Sequence, residues 1–283
     1  MSTPITDHPA MKYEQLFDGK PLPVLGLGTW NIGGGMAADR SKDEEYVHVI
    51  RSAVQMGYSH IDTAQMYGDG HTEELVGRAI KTFRREDICI TTKVWSSNLR
   101  TKSVVKNIEL SLKRLGTDYV DLYLIHWPNP AIPLEDTYRA FNDLVKNGIV
   151  HYVGVSNFNI KQLAHAQKLS DVPIATNQVE YNVLRREPER NGVLKYCQKH
   201  RIILTAYEPF GKGAVLRNAG LQRVAERFGT TSAQLAIYWL MQKSKVITIP
   251  KSSNIAHLLE NLEALDKDFG DSCLEDLNRL EHM

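Results

Sequence analysis

The chain has 283 residues, 42% of them hydrophobic, enough to bury one large core. Its 34 lysines and arginines stand against 33 aspartates and glutamates, a formal charge of +1 that argues against a nucleic-acid or strongly acidic partner. Three cysteines (Cys89, Cys197, Cys273) form no CxxC pair, MSTPITDHPA has no apolar signal core, and no stretch approaches ~18 apolar residues. A cytoplasmic protein with reduced, packed thiols and no membrane partner is expected.

Residues 1–10 read as a flexible N-terminal tail. YEQLFDGKPLPVLG follows as a hairpin, with Asp18-Gly19 at its turn. From residue 24 to about 265, short β-branched runs then alternate with helix-period segments. The runs are VLGLGTW (24–30), SHIDTA (59–64), ICITTKV (88–94), DLYLIH (121–126), YVGVSN (152–157), IATNQVEY (174–181), IILTAY (202–207) and KVITIP (245–250). Helices are predicted over 42–57, 72–83, 102–115, 135–147, 159–169, 188–200, 231–243 and 254–265, with a short one at 272–281. In 102–115, Val104, Val105, Ile108, Leu112 and Leu115 recur at helical spacing and Gly116 is the C-cap. In 254–265, Asn254 is the N-cap and Ile255, Leu258, Leu259, Leu262 and Leu265 form the stripe.

Repeated strand–helix units imply a parallel sheet covered on both faces, and eight of them point to a closed (β/α)8 TIM barrel, 1–283 as one domain. The N-terminal hairpin would cap the barrel's bottom. A doubly wound sheet is the alternative, but Gly26-x-Gly28 lacks the third glycine of a dinucleotide-binding turn.

In such a barrel, active sites form at the C-terminal strand ends. Asp62, Lys93 and His126 end three apolar runs, and Tyr67 lies just beyond the first. Burying three ionisable groups and a phenol costs free energy unless they serve one another. Lys93 beside Tyr67 would stabilise a phenolate and lower the phenol's pKa. Asp62 would keep the lysine charged, and His126 would aim a carbonyl. Alternation places Lys93 on one face with Thr91 and Cys89, and His126 with Leu124 and Leu122, opposite Ile88, Ile90, Tyr123 and Ile125. Lys93 alone would also suit a Schiff-base aldolase. His60-x-Asp62 resembles a metal-ligand pair, but no second cluster completes it, and no metal is expected.

The segments GYSHIDTAQMYGDGHTEELVG, ITTKVW, LYLIHW, GVSNF and IPKS, in this order, resemble the aldo-keto reductase superfamily from about residue 12 to 265. The resemblance implies a barrel that reduces aldehydes or ketones with NADPH, with Asp62, Tyr67, Lys93 and His126 as its catalytic residues. It also implies that Ser156, Asn157 and Gln178 hold the nicotinamide amide and that Tyr207 stacks on the ring, with Thr29 and Trp30 counted among the cofactor's neighbours. IPKSSN leads a strand into a helix N-terminus, where free amides and the dipole favour phosphate. By resemblance, Lys251 and Ser252 hold the 2′-phosphate, with Glu260 and Asn261 near the adenine.

Two positions depart from the family's pattern. His257 stands where an arginine is usual, so weaker discrimination against NADH is expected, strengthening as an imidazole protonates below about pH 6.5. Glu208 replaces a serine near the pyrophosphate and would repel it unless paired, with Lys212 the partner at hand. Trp30, Trp95 and Trp127 suggest an aromatic-walled substrate pocket, whereas Trp239 reads as core. The Gly-rich segment 31–40 would move over that pocket. No counterpart of the long C-terminal loop of larger family members is apparent, which implies an open pocket for small or varied aldehydes and dicarbonyls. A monomer or weak oligomer is expected. The same fold also implies a second class, a cofactor-sensing interaction subunit like the auxiliary beta subunits of voltage-gated potassium channels.

Overall fold

Parallel strands pair only across long crossovers, so each apolar run is followed by a helix that returns the chain to the same end. The computed structural model describes Ile5 and residues 8–280. The hairpin strands are β1 (Tyr13–Gln15) and β2 (Pro21–Pro23). The chain continues through β3 (Leu27–Gly28), α1 (Asp43–Gln55), β4 (His60–Asp62), α2 (His71–Ile80), β5 (Cys89–Val94) and α3 (Thr101–Leu115). Next come β6 (Val120–Ile125), α4 (Leu134–Lys146), β7 (Val150–Ser156), α5 (Ile160–Leu169) and β8 (Thr176–Glu180). The last part holds α6 (Glu187–Arg190), α7 (Val193–Lys199), β9 (Ile203–Tyr207), α8 (Ala219–Arg227), α9 (Ser232–Met241), β10 (Val246–Thr248), α10 (Ile255–Glu263) and α11 (Gly270–Arg279).

Strands β3 to β10 pair in sequence order, every pair parallel. The seam closes where Leu25 bridges Thr248: the Gly26 amide donates to the Thr248 carbonyl and the Thr248 amide to the Val24 carbonyl, both at 2.8 Å. A Cβ at Gly28 would collide with the Ile249 carbonyl, so glycine is what lets the first and last strands approach. The expected (β/α)8 barrel is therefore present and closed.

Strand parity resolves into inside and outside. Ile88, Ile90, Tyr123 and Ile125 join the core between sheet and helices. Leu122, Leu124, Tyr152, Ala175, Ile203 and Ile247 fill the interior, with Cys89 against them. The hairpin closes this interior from below, as expected: Leu16 and Leu22 join the same cluster, and the Tyr152 hydroxyl donates to Asp18 Oδ2 (2.6 Å). Gly19, at φ 87°, makes the turn.

Beside the plug, Asp121 accepts from Arg85 Nη2 (2.8 Å) and the Ile90 amide (3.0 Å), with Lys20 Nζ at 3.5 Å and His151 Nδ1 at 3.6 Å. It joins hairpin, β5, β6 and β7.

Several boundaries differ from the expected ones. The helix expected over 188–200 is split into α6 and α7, because Gly192 takes φ 78° between them. Helix α8 had no predicted counterpart; its apolar positions are few and Gly220 sits in its first turn, yet Leu221, Val224 and Ala225 are buried and Asn218 caps it. On α10, Leu258 and Leu262 are buried but Leu259 is 46% exposed, so the apolar stripe is narrower than predicted. Asn254 caps α10 through the Ala256 amide, and Gly116 ends α3 at φ 66°, both as expected. Of the tail expected over 1–10, Ile5 donates its amide to Asp87 Oδ2 and residues 8–10 precede a buried Met11; the others lie outside the described residues. The helix expected at 272–281 is α11, and residue 281 lies outside them too. No helix among the described residues is long and apolar enough to cross a membrane.

Burial would raise the Asp121 carboxyl, but His151, Arg85 and the Ile90 amide outweigh it and hold its pKa at about 2. That lies below the unfolded value of about 3.9, so Asp121 contributes its full stability above about pH 4 and loses it as pH falls towards about 2. Asp121→Asn should cost about 3 kcal/mol in urea unfolding at neutral pH and flatten the acid limb of stability against pH, because Arg85 is left without its carboxylate.

Candidate active site

Three strand ends and one turn bring the predicted tetrad together at the C-terminal rim. Asp62 ends β4, Lys93 stands one residue before the end of β5, His126 follows β6, and Tyr67 opens the turn before α2. Lys93 is fully buried, and Asp62, Tyr67 and His126 nearly so. Lys93 Nζ donates to Asp62 Oδ1 at 2.6 Å, to the Thr63 carbonyl at 2.8 Å and to the Tyr67 hydroxyl at 3.2 Å. These three bonds use all three N–H donors of an ammonium. A Schiff base needs a free amine with an open approach, and Lys93 has neither.

The other Asp62 oxygen accepts from Gln178 Nε2 at 2.7 Å. From there the network runs round the rim: Ser156 Oγ donates to the Gln178 carbonyl (2.8 Å), Asn157 Nδ2 to Ser156 Oγ (3.0 Å), and the Tyr207 hydroxyl to Asn157 Oδ1 (3.0 Å). Asn157 takes φ 63°, a conformation asparagine tolerates better than most residues. The predicted carboxamide-binding residues and the stacking tyrosine are thus one connected array. Just beyond Ser156 and Asn157, Asn159 caps α5 and forms a capping box with Gln162.

Burial works against the Lys93 ammonium, yet Asp62 and Tyr67 outweigh it and hold its pKa above the ordinary lysine value. Tyr67 reverses the expectation. Burial, the largest influence, raises its pKa above the ordinary phenol value, and Lys93 only partly opposes this. The expected lowering does not occur because a phenolate here would lose its water and face Asp62 as well as Lys93. The phenol is therefore protonated at neutral pH, with its conjugate base's stabiliser already in contact. Burial, reinforced by Lys93, lowers the His126 pKa to about 2, so the imidazole is neutral. Its Nδ1 is buried without a hydrogen-bond partner.

These groups open into a cavity of about 1120 Å³. Trp30, Trp95 and Trp127 line one end, with Trp30 edge-on to Tyr67 (ring centroids 4.9 Å) and Trp95 edge-on to His126 (5.1 Å). Trp239 is fully buried elsewhere, as expected. Thr29 is held at the rim by its hydroxyl bond to the Asp62 carbonyl (2.8 Å). In the Gly-rich segment, the Gly35 carbonyl accepts from the Gly68 amide (2.7 Å) and the Ile32 carbonyl from Thr72 Oγ1 (2.6 Å).

The cavity continues past Tyr207 to Lys251 and Ser252, just before α10, and to His257, Glu260 and Asn261 along it. Burial lowers the Lys251 pKa, and among the described residues no carboxylate pairs with its ammonium, whose bond is to Ser253 Oγ (3.4 Å). A half-buried cation without an anion, beside a helix N-terminus, fits a phosphate. Glu208, at φ 52°, pairs with Lys212 Nζ at 3.3 Å, which answers the repulsion its sequence position raised. Sequence reasoning missed Thr231, Ser232 and Ala233 in the lining. The signal was present in Thr231, a helix N-cap residue whose side chain accepts from the Gln234 amide. His60 is buried, with Nε2 2.9 Å from Thr91 Oγ1.

The Aldo/keto reductase family model matches residues 24–282. Among curated proteins, glyoxal reductase of Bacillus subtilis (strain 168) is 34% identical over 94% of this chain and 91% of its own length. Methylglyoxal reductase YeaE of Escherichia coli (strain K12) is 33% identical over 91% and 90%. Among solved structures, the thermostable aldo-keto reductase Tm1743, in complex with the inhibitor epalrestat, superposes with a TM-score of 0.92 at 46% identity, over 95% of this chain and 100% of that one. An aldo/keto reductase from Klebsiella pneumoniae, in complex with NADP and acetate, gives 0.88 at 32% identity, over 96% and 95%.

The neutrality of His126 has a direct readout. In NMR of 15N-histidine-labelled protein its ring should keep neutral-imidazole shifts from about pH 8 down to about pH 5. A midpoint near about pH 6.5 would show that burial does not control it.

Proposed function

This chain belongs to the aldo/keto reductase family, and on that premise we propose that it reduces small aldehydes, ketones or dicarbonyls with NADPH, using Tyr67 as the general acid. The observation that carries the proposal is the buried contact of Lys93 Nζ with the Tyr67 hydroxyl, opening on an aromatic-walled cavity. NADPH, when bound, supplies the hydride. Ser156, Asn157 and Gln178 hold its carboxamide, Tyr207 stacks on its ring, and Thr29 and Trp30 flank it. Lys251, Ser252 and His257 take the 2′-phosphate, with Glu260 and Asn261 near the adenine.

Tyr67 gives its proton to the substrate oxygen as negative charge develops there. The phenolate left behind is stabilised by Lys93, whose charge Asp62 maintains. The neutral His126 imidazole donates an N–H to the same oxygen and orients it. Trp30, Trp95 and Trp127 wall the pocket around the reacting oxygen. We read the chain as a single barrel domain acting as a monomer or weak oligomer. Its free cysteines suit the reducing cytoplasm.

Tyr67→Phe should lower kcat by about 10²-fold or more, with the Kd for NADPH, read by fluorescence quenching, nearly unchanged. Parent-rate reduction by that variant would reject the assignment. For cofactor choice, His257→Arg should raise the NADPH-over-NADH affinity ratio by roughly tenfold, because a guanidinium adds permanent charge and a second donor.

A further inference from the structure

Beyond Tyr67 the backbone takes an unusual course. Gly68 (φ 55°, ψ 32°), Asp69 (φ 51°, ψ 41°) and Gly70 (φ 89°, ψ −8°) are three successive left-handed residues, and α2 begins immediately after them. The glycines adopt this freely, while Asp69 does so at a steric cost, so the turn needs external support. On one side, Gly68 donates to the Gly35 carbonyl at 2.7 Å. On the other, Arg114 of α3 lies directly against the turn: a Cβ at Gly70 would collide with its guanidinium.

Arg114 Nη1 donates to Glu73 Oε2 at 3.1 Å, and the second Glu73 oxygen accepts from Thr92 Oγ1 at 2.6 Å. Glu73 is completely buried, and Thr92 immediately precedes Lys93 on β5, pointing away from the barrel interior. One carboxylate thus joins the strand that carries Lys93 to the arginine packed under the turn that carries Tyr67. None of the three side chains lines the cavity into which Asp62, Tyr67 and His126 open. Burial raises the Glu73 pKa, against which Thr92, Ser111 and Arg114 act, so the charged form depends on these partners.

We infer that Glu73 and Arg114 are positioning residues for Tyr67: through Thr92 and the left-handed turn they set the separation between the Lys93 ammonium and the Tyr67 phenol. The inference rests on the acid role proposed for Tyr67. Misplacing a catalytic group by about 1 Å can cost 10²-fold in rate, so a pair outside the cavity can control kcat without touching substrate.

The test uses Arg114→Lys, Thr92→Val and Glu73→Gln in the full chain. For each, kcat, KM, the NADPH Kd, the melting temperature and the 13Cζ resonance of Tyr67 are measured. Arg114→Lys keeps the charge but loses the planar fork, and Thr92→Val removes one hydroxyl at nearly constant volume. Both therefore keep the test alive if Glu73→Gln fails to fold. The expected result is a fall in kcat of about tenfold in Arg114→Lys and about threefold in Thr92→Val, with NADPH affinity unchanged and the Tyr67 resonance displaced. Unchanged kcat in both folded variants would overturn the inference. So would a loss of kcat that follows melting temperature while the Tyr67 resonance stays in place. A fully active Tyr67→Phe would instead overturn the acid role, whereas an inactive Tyr67→Phe beside unaffected Arg114→Lys and Thr92→Val overturns the positioning alone.

Discussion

A lysine ammonium fully buried inside a closed barrel must be satisfied by the protein or it loses its proton. Lys93 is satisfied three times over, by Asp62, by the Thr63 carbonyl and by Tyr67. This arrangement makes heavy demands elsewhere. Asp62 needs a second donor, which Gln178 provides from the far side of the barrel. Tyr67 must be brought back over β4 and β5 from a loop, which the left-handed turn accomplishes. The seam at Gly28 must close tightly enough to hold Thr29 on Asp62.

The two ends of the barrel divide the electrostatic work. At the bottom, Asp121 gathers cations and an amide where the hairpin enters, and its carboxyl is held low. At the top, burial dominates: it raises Tyr67 and lowers His126, leaving a neutral phenol and a neutral imidazole beside one ammonium. An acid that stays protonated until a carbonyl oxygen demands its proton, next to a cation that stabilises what remains, is a preorganised site rather than an ionised one. Along the same groove, Lys251, whose pKa burial lowers, has no carboxylate partner among the described residues.

Much of this was legible in the chain because the signals are periodic. Alternation put Lys93 with Thr91 and Cys89, and the interior cluster bears that parity out. Strand ends carrying Asp62, Lys93 and His126 pointed to a single rim once eight parallel strands were inferred. What escaped was set by contacts between distant segments. The sign of the Tyr67 shift depends on how completely neighbouring strands exclude water, which no local pattern encodes. Glu73 reads as an ordinary first-turn helix acid until Thr92 and Arg114 are found on it. Helix α8 was hidden by a glycine in its first turn and too few apolar positions, and the break at Gly192 by a continuous-looking helical pattern. Leu259 shows the opposite error, an apolar residue at helical spacing that faces solvent.

Everything at the rim depends on Lys93 remaining a cation in contact with a protonated Tyr67. The most direct measurement is a pH titration of the Lys93 side-chain nitrogen by NMR in lysine-labelled protein, assigned with Lys93→Met. The ammonium signal should persist through about pH 10, because Asp62 and Tyr67 outweigh burial. Loss of the proton below about pH 8 would mean that burial prevails, and the electrostatic basis for Tyr67 as the acid would fail with it.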